Sequence, residues 1–293
     1  MNSLGLRFTS ASTRASVASS ASCFKSCWGT RRLHQRRALP YPVEDGLGKF
    51  LPPDALKVQL EYQDGLLERL NEQVVGTAEA SSTIVQTVIN LSGKRDKVLA
   101  FNYASLALNN SFFLNNLKPP SEKYPNYEHE ITDQLNITIR NAHGSTQQLR
   151  SAFSAAALGT FINGWVWFVV DQAGNTGIIT TYGAGTLLVR SRSHMQKHPN
   201  FVDIAESAAG IHSTDASTMS RRNKSGSMLN AGEILYPLFC VPMYEHAWMS
   251  AGYGVWGKEQ WLKELWSVVN WERVDAAYNA IWKAAQEKGP RSS

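Results

Sequence analysis

Cysteine is scarce in this sequence, and its placement excludes much. Cys23 and Cys27 lie close to the start, which leaves Cys240 as the one thiol of the remaining chain. A single thiol supports neither a disulfide framework nor a cysteine-based zinc site. Acid is missing from residues 1–37, although that stretch carries Arg7, Arg14, Lys25, Arg31, Arg32, Arg36 and Arg37. An acid-free segment rich in Ser, Ala and Arg predicts a mitochondrial transit peptide over residues 1–37, cut between Arg31 and Ala38. A secretory signal needs an unbroken apolar run, which Arg7 and Arg14 interrupt. Without those residues the chain has 22 basic side chains against 24 acidic ones. The body therefore lacks the overall positive charge of a nucleic-acid binder.

Long hydrophobic runs are lacking too. The best candidate, Ser151 to Val170, is broken by Gly159 and by Asn163-Gly164. It reads as a buried helix entering a buried strand, and no membrane span is expected. Histidine is thinly spread, at positions 34, 129, 143, 194, 198, 212 and 246. None falls on the two helices predicted between residues 54 and 117.

What is present is material for a core: 43% hydrophobic residues, nine of them Trp. Pro52-Pro53-Asp54 makes a turn and a helix start. Leu56, Val58, Leu60, Leu67, Leu70 and Val74 then follow at helical intervals. A second helix is predicted from Lys97 to Leu117, so residues 38–118 form an α-hairpin. Ser145 with Gln148 resembles a capping box and opens another helix. Trp165 to Val170, a turn at Gly174-Asn175 and Gly177 to Thr181 read as a β-hairpin. A third strand is predicted over 234–241. Helices follow near 245–252, 258–269 and 272–286. Residues 191–232, rich in Ser, Arg, Lys and His, have no sustained period and read as a mobile insertion. Residues 119–286 then make a second, α/β domain, with 287–293 as a tail.

Five stretches in this order resemble the iron/manganese superoxide dismutases. They are Leu39-Pro40-Tyr41, Leu67-Glu68-Arg69-Leu70-Asn71, Gly164-Trp165-Val166-Trp167, Tyr236-Pro237-Leu238 through Glu245-His246-Ala247, and Trp261 to Trp271. The resemblance spans residues 39–286 apart from the insertion. It implies an α+β fold: an N-terminal α-hairpin, then a three-stranded antiparallel sheet flanked by helices.

The family's chemistry uses one iron or manganese held by three His and one Asp, with an outer Gln or His. Carried over, the His-x7-Tyr of the first helix falls on Val58 and Leu66. The pattern Gly-Gly-His-x-Asn-His falls on Ser105-Leu106-Ala107-Leu108-Asn109-Asn110, which puts the ligand at Ala107. The Asp ligand becomes Pro242, the outer Gln falls near Ala184, and only His246 survives. One ligand of four implies no metal, no cofactor and no dismutase activity, with apolar groups filling the former site. His194 and His198 precede Pro199 within the insertion and read as a solvated loop.

Glu245-His246 corresponds to the pair that reaches across the family's dimer interface, so its retention points to a conserved subunit contact. The family's other cross-subunit pair would here be Tyr62 and Met249, which cannot form the same bond. A heterodimer with a related chain is the natural result. With its presequence, the chain is similar to the dismutase-like small-subunit proteins of the fungal mitochondrial ribosome, in which two related chains pair. The expectation is a structural subunit among small-subunit ribosomal proteins. Any peripheral rRNA contact would come from Arg190, Arg192, Arg221, Arg222 and Lys224. Two alternatives stand beside it: a dismutase with displaced ligands, and a free dismutase-like scaffold outside the ribosome.

Overall fold

A computed structural model describes residues 34–189 and 234–287. Helix α1, Pro53–Val74, starts with Pro53 in its first turn, where a missing N–H costs nothing. No side chain caps it, and Asp54 pairs with Lys57 rather than with the helix end. α1 packs along α3, Val98–Asn115. Between them lies a helix the sequence did not announce, α2, Ile84–Leu91. The Thr83 hydroxyl accepts from the Gln86 amide to start it. Val88 and Leu91 of α2 close a small core with Leu70, Val74, Ala100 and Ala104.

Helices α4, Asp133–His143, and α5, Thr146–Leu158, lead into the sheet. Ser145 caps α5 by accepting from the Gln148 amide, which is one half of the expected capping box. Strands β1, Gly164–Val170, β2, Thr176–Tyr182, and β3, Tyr236–Pro242, pair antiparallel in the order β2-β1-β3. Asp171 builds the β1–β2 turn. Its buried carboxylate accepts from the amides of Ala173 and Asn175 and from the Asn175 side chain. Gly174 takes φ +86 there, under the Trp282 ring where any Cβ would clash. A register shift between Phe168 and Val169 lets Leu238 bulge from β3, and both prolines of β3 sit on this edge strand.

β1 is buried along its whole length because both sheet faces are covered. On one face, Trp167 and its partner Cys240 meet α3 through Phe112 and the Asn109 carbonyl. On the other, Phe168 and Phe239 meet Phe153 and Trp266. The chain closes with α6, Glu245–Met249, α7, Lys258–Leu265, and α8, Trp271–Glu287. No described helix is long and apolar enough to cross a membrane. Packing already begins at His34, inside the stretch that composition assigns to the presequence. The insertion 191–232, His194, His198 and the basic residues Arg190, Arg192, Arg221, Arg222 and Lys224 lie outside the described residues.

Candidate functional site

The seam between α1 and α3 is polar where the sequence led us to expect aliphatic groups. Gln59 and Gln63 from α1, and Ser105, Asn109 and Asn110 from α3, are all buried. Gln63 Nε2 donates to the Ala107 carbonyl at 3.1 Å, and Asn110 Nδ2 donates to Gln63 Oε1 at 3.0 Å. Gln59 is stranded, with neither its amide nitrogen nor its oxygen partnered, and Asn110 Oδ1 is likewise free. A buried amide left this way costs on the order of 1–3 kcal/mol. Ser105 and Asn109 turn toward the sheet side instead. Their side chains donate to the carbonyls of Ala184 at 2.6 Å and Gly185 at 2.9 Å.

The four positions carried over as former ligands have different surroundings. Val58 is 36% exposed on the outer side of α1, and its neighbour Gln59 takes the inward place. Ala107 packs on Leu66 and Leu67, while the polar side chain of the seam stands one turn on, at Asn110. Asn110 is where the second His of the family's Gly-Gly-His-x-Asn-His pattern falls. Pro242 ends β3 opposite Trp165. His246, on α6, is half-buried with its ring 4.5 Å from Tyr62 and 5.7 Å from Tyr244. Beside these apolar positions the seam itself holds amides. A glutamine beside a valine on a helix is rotated by about 100° from it, and packing against α3 selects the glutamine.

This region carries little charge. Burial pushes the His246 imidazole below its ordinary range, against the opposing pull of the exposed Glu245. Burial also pushes the Tyr62 phenol up to about 12 and raises Tyr244, whose hydroxyl donates to the Gly183 carbonyl at 2.9 Å. The buried Cys240 thiol is raised well above its usual value. Among the described residues, no three His, Cys, Asp or Glu side chains converge. Redox iron or manganese takes imidazole and carboxylate donors, and neutral amides are poor substitutes. The donor set does not fit the family's metal, and no redox step can be derived from it.

A second feature lies beside α6. Lys258 Nζ donates to the Thr160 carbonyl at 2.6 Å and sits 5.6 Å from the Trp248 ring. It thereby gathers the loop before β1, helix α6 and the turn before α7. From these three pieces Phe161 (95% exposed), Met249 (44%) and Trp256 (94%) project into solvent, with Ile162 and Val255 beside them. Exposed large apolar groups in proximity mark contact surfaces. The sequence-predicted interface residues Met249 and Glu245 lie on α6 beside this patch, and Phe161 and Trp256 were not singled out by sequence. The available signal was bulky apolar residues in glycine-bounded turns, Gly159 to Gly164 and Gly254 to Gly257.

Comparison with known proteins agrees with the fold. Residues 131–203 and 210–277 match the family described as iron/manganese superoxide dismutases, C-terminal domain. The chain is 26% identical over 157 residues to the small ribosomal subunit protein mS43 of Schizosaccharomyces pombe, covering 53% of this chain and 55% of that protein's length. It is 31% identical over 153 residues to an iron superoxide dismutase of Legionella pneumophila, covering 50% of this chain and 71% of the relative. With the iron superoxide dismutase of Escherichia coli it shares 24% identity over 238 residues, 81% and 94% of the two chains.

Proposed function

We propose that this chain, which belongs to the iron/manganese superoxide dismutase family, has exchanged catalysis for a structural place in the small subunit of the mitochondrial ribosome. The observation that carries the reading is that Val58, Ala107 and Pro242 offer no metal donor, while the adjoining α1–α3 seam is held by the neutral amides of Gln59, Gln63 and Asn110. A scaffold requires the fold without the metal, and amides can hold the hairpin together where ligands once did. Similarity to mS43 supports the ribosomal assignment. The basic, acid-free residues 1–37 support import into the matrix.

Docking falls to the face beside α6. Phe161, Trp256 and Met249, with Glu245 on its rim, present an apolar centre and a charged edge, the anatomy of a protein–protein contact. The partner is a related dismutase-like chain. Tyr62 and His246 support that face from within by packing on each other. Arg190, Arg192, Arg221, Arg222 and Lys224 would supply any peripheral contact with rRNA. Replacing Arg221, Arg222 and Lys224 by Ala without loss of ribosome association would remove that contact from the proposal.

Sedimentation of mitochondrial lysate tests the whole reading. The protein should travel with the small subunit and stay with it after magnesium depletion separates the subunits. Migration only near the top of the gradient would sink the ribosomal role. Stoichiometric iron or manganese in the purified protein would return it to the dismutases as an enzyme.

A further inference from the structure

The segment ahead of α1 is held by its backbone. Asn71, in the last turn of α1, accepts the His34 amide on Oδ1 at 2.9 Å. The same side chain donates Nδ2 to the His34 carbonyl at 3.1 Å. One carboxamide thus reads both peptide groups of His34, the two-point pairing that one β-strand offers another. His34 is only 4% exposed as a result. Two residues on, the Arg36 guanidinium reaches Asp64 of α1 at 3.0 Å. At Tyr41 the chain meets the other hairpin helix, where the buried hydroxyl donates to the Leu114 carbonyl at 2.9 Å. Residues 34–41 therefore run from the end of α1 to the end of α3, attached at both.

A cut at residue 37, where composition alone ends the presequence, would strip the first two attachments and strand the Asn71 carboxamide. We propose that import processing cuts ahead of His34, so that residues 34–37 remain on the mature chain as a strap across the α-hairpin. The proposal rests on the mitochondrial reading above and narrows it to a processing site. Composition misassigns these four residues because Arg36 is basic for a local reason: it faces Asp64.

Mass spectrometry of the N-terminus of the protein from isolated mitochondria tests this. The mature chain should begin no later than His34. A start at Gln35 or beyond would overturn the processing site while leaving import intact. A chain recovered outside mitochondria with Met1 in place would overturn the import reading and this proposal with it. The strap has its own test in limited trypsin digestion of the folded mature protein. Asn71→Ala should raise cleavage at Arg36 and Arg37 by about tenfold or more, as two hydrogen bonds that oppose local opening are lost. Unchanged cleavage would show that Asn71 does not hold the strap.

Discussion

The two faces of the sheet end in cores of different character. Beyond Phe168 and Phe239 the interior is aromatic, with Phe239 ringed by Phe153, Phe168, Trp266 and Trp271 at 5.0–6.0 Å. On the hairpin side, Leu66, Leu67, Leu70 and Val74 of α1 pack on Ala104 and Ala107 of α3, and the amides of Gln59, Gln63 and Asn110 lie buried beside them. The aromatic core derives its stability from buried area and needs no particular partner atom. The hairpin core depends on which amide finds which carbonyl.

That contrast can be broken at its strong end first. Phe239→Ala should lose about 4 kcal/mol by urea unfolding, since it removes the hub of the aromatic cluster. Gln63→Leu should cost about 2 kcal/mol in the same assay, because it removes both side-chain hydrogen bonds of that amide, from Asn110 Nδ2 and to the Ala107 carbonyl. Gln59→Leu should go the other way and stabilise by about 1 kcal/mol, because its amide has no partner to lose. A loss at Gln59 would show that this amide is satisfied after all, and the two glutamines would no longer differ.

Acid sharpens the comparison less strongly. Burial lowers the pKa of His34, His143 and His246 in the fold from 6.5, so the native state keeps them neutral. Their contribution is complete above about pH 6.5 and is lost as pH falls and the unfolded chain takes up the protons. The urea midpoint should therefore be lower at pH 5.5 than at 7.5, and His246→Gln should flatten part of that slope. The smallest effect belongs to the surface. Breaking the exposed Lys263–Glu259 pair should leave the urea midpoint unchanged within error, since solvent screens it.

Much of the architecture was legible. The strands stood out because β1 is an unbroken apolar run, and Ser145 and Gly174 announced their cap and turn through their own chemistry. α2 was missed because eight residues give barely two helical turns of pattern. The hairpin was placed correctly but rotated wrongly. α3 is apolar around most of its surface, so nothing in its sequence distinguishes the Ala107 position from the Asn110 position one turn away. On α1, hydrophobicity favoured Val58 over Gln59 for the interior, and the structure chose the reverse. Phe161 and Trp256 were unreadable for the opposite reason, since an apolar side chain in a turn gives no sign of whether it folds in or stays out.

Periodicity, turn chemistry and motif order are local properties, and by themselves they determined most of the elements, apart from α2 and α4, their order along the chain and the family to which it belongs. Facing is not local. Each residue advances a helix by about 100°, so a one-residue choice turns a ligand position outward or inward. Only the packing of α1 against α3 decided that the seam would hold amides, and only the tertiary fold decided that Phe161 and Trp256 would stay exposed.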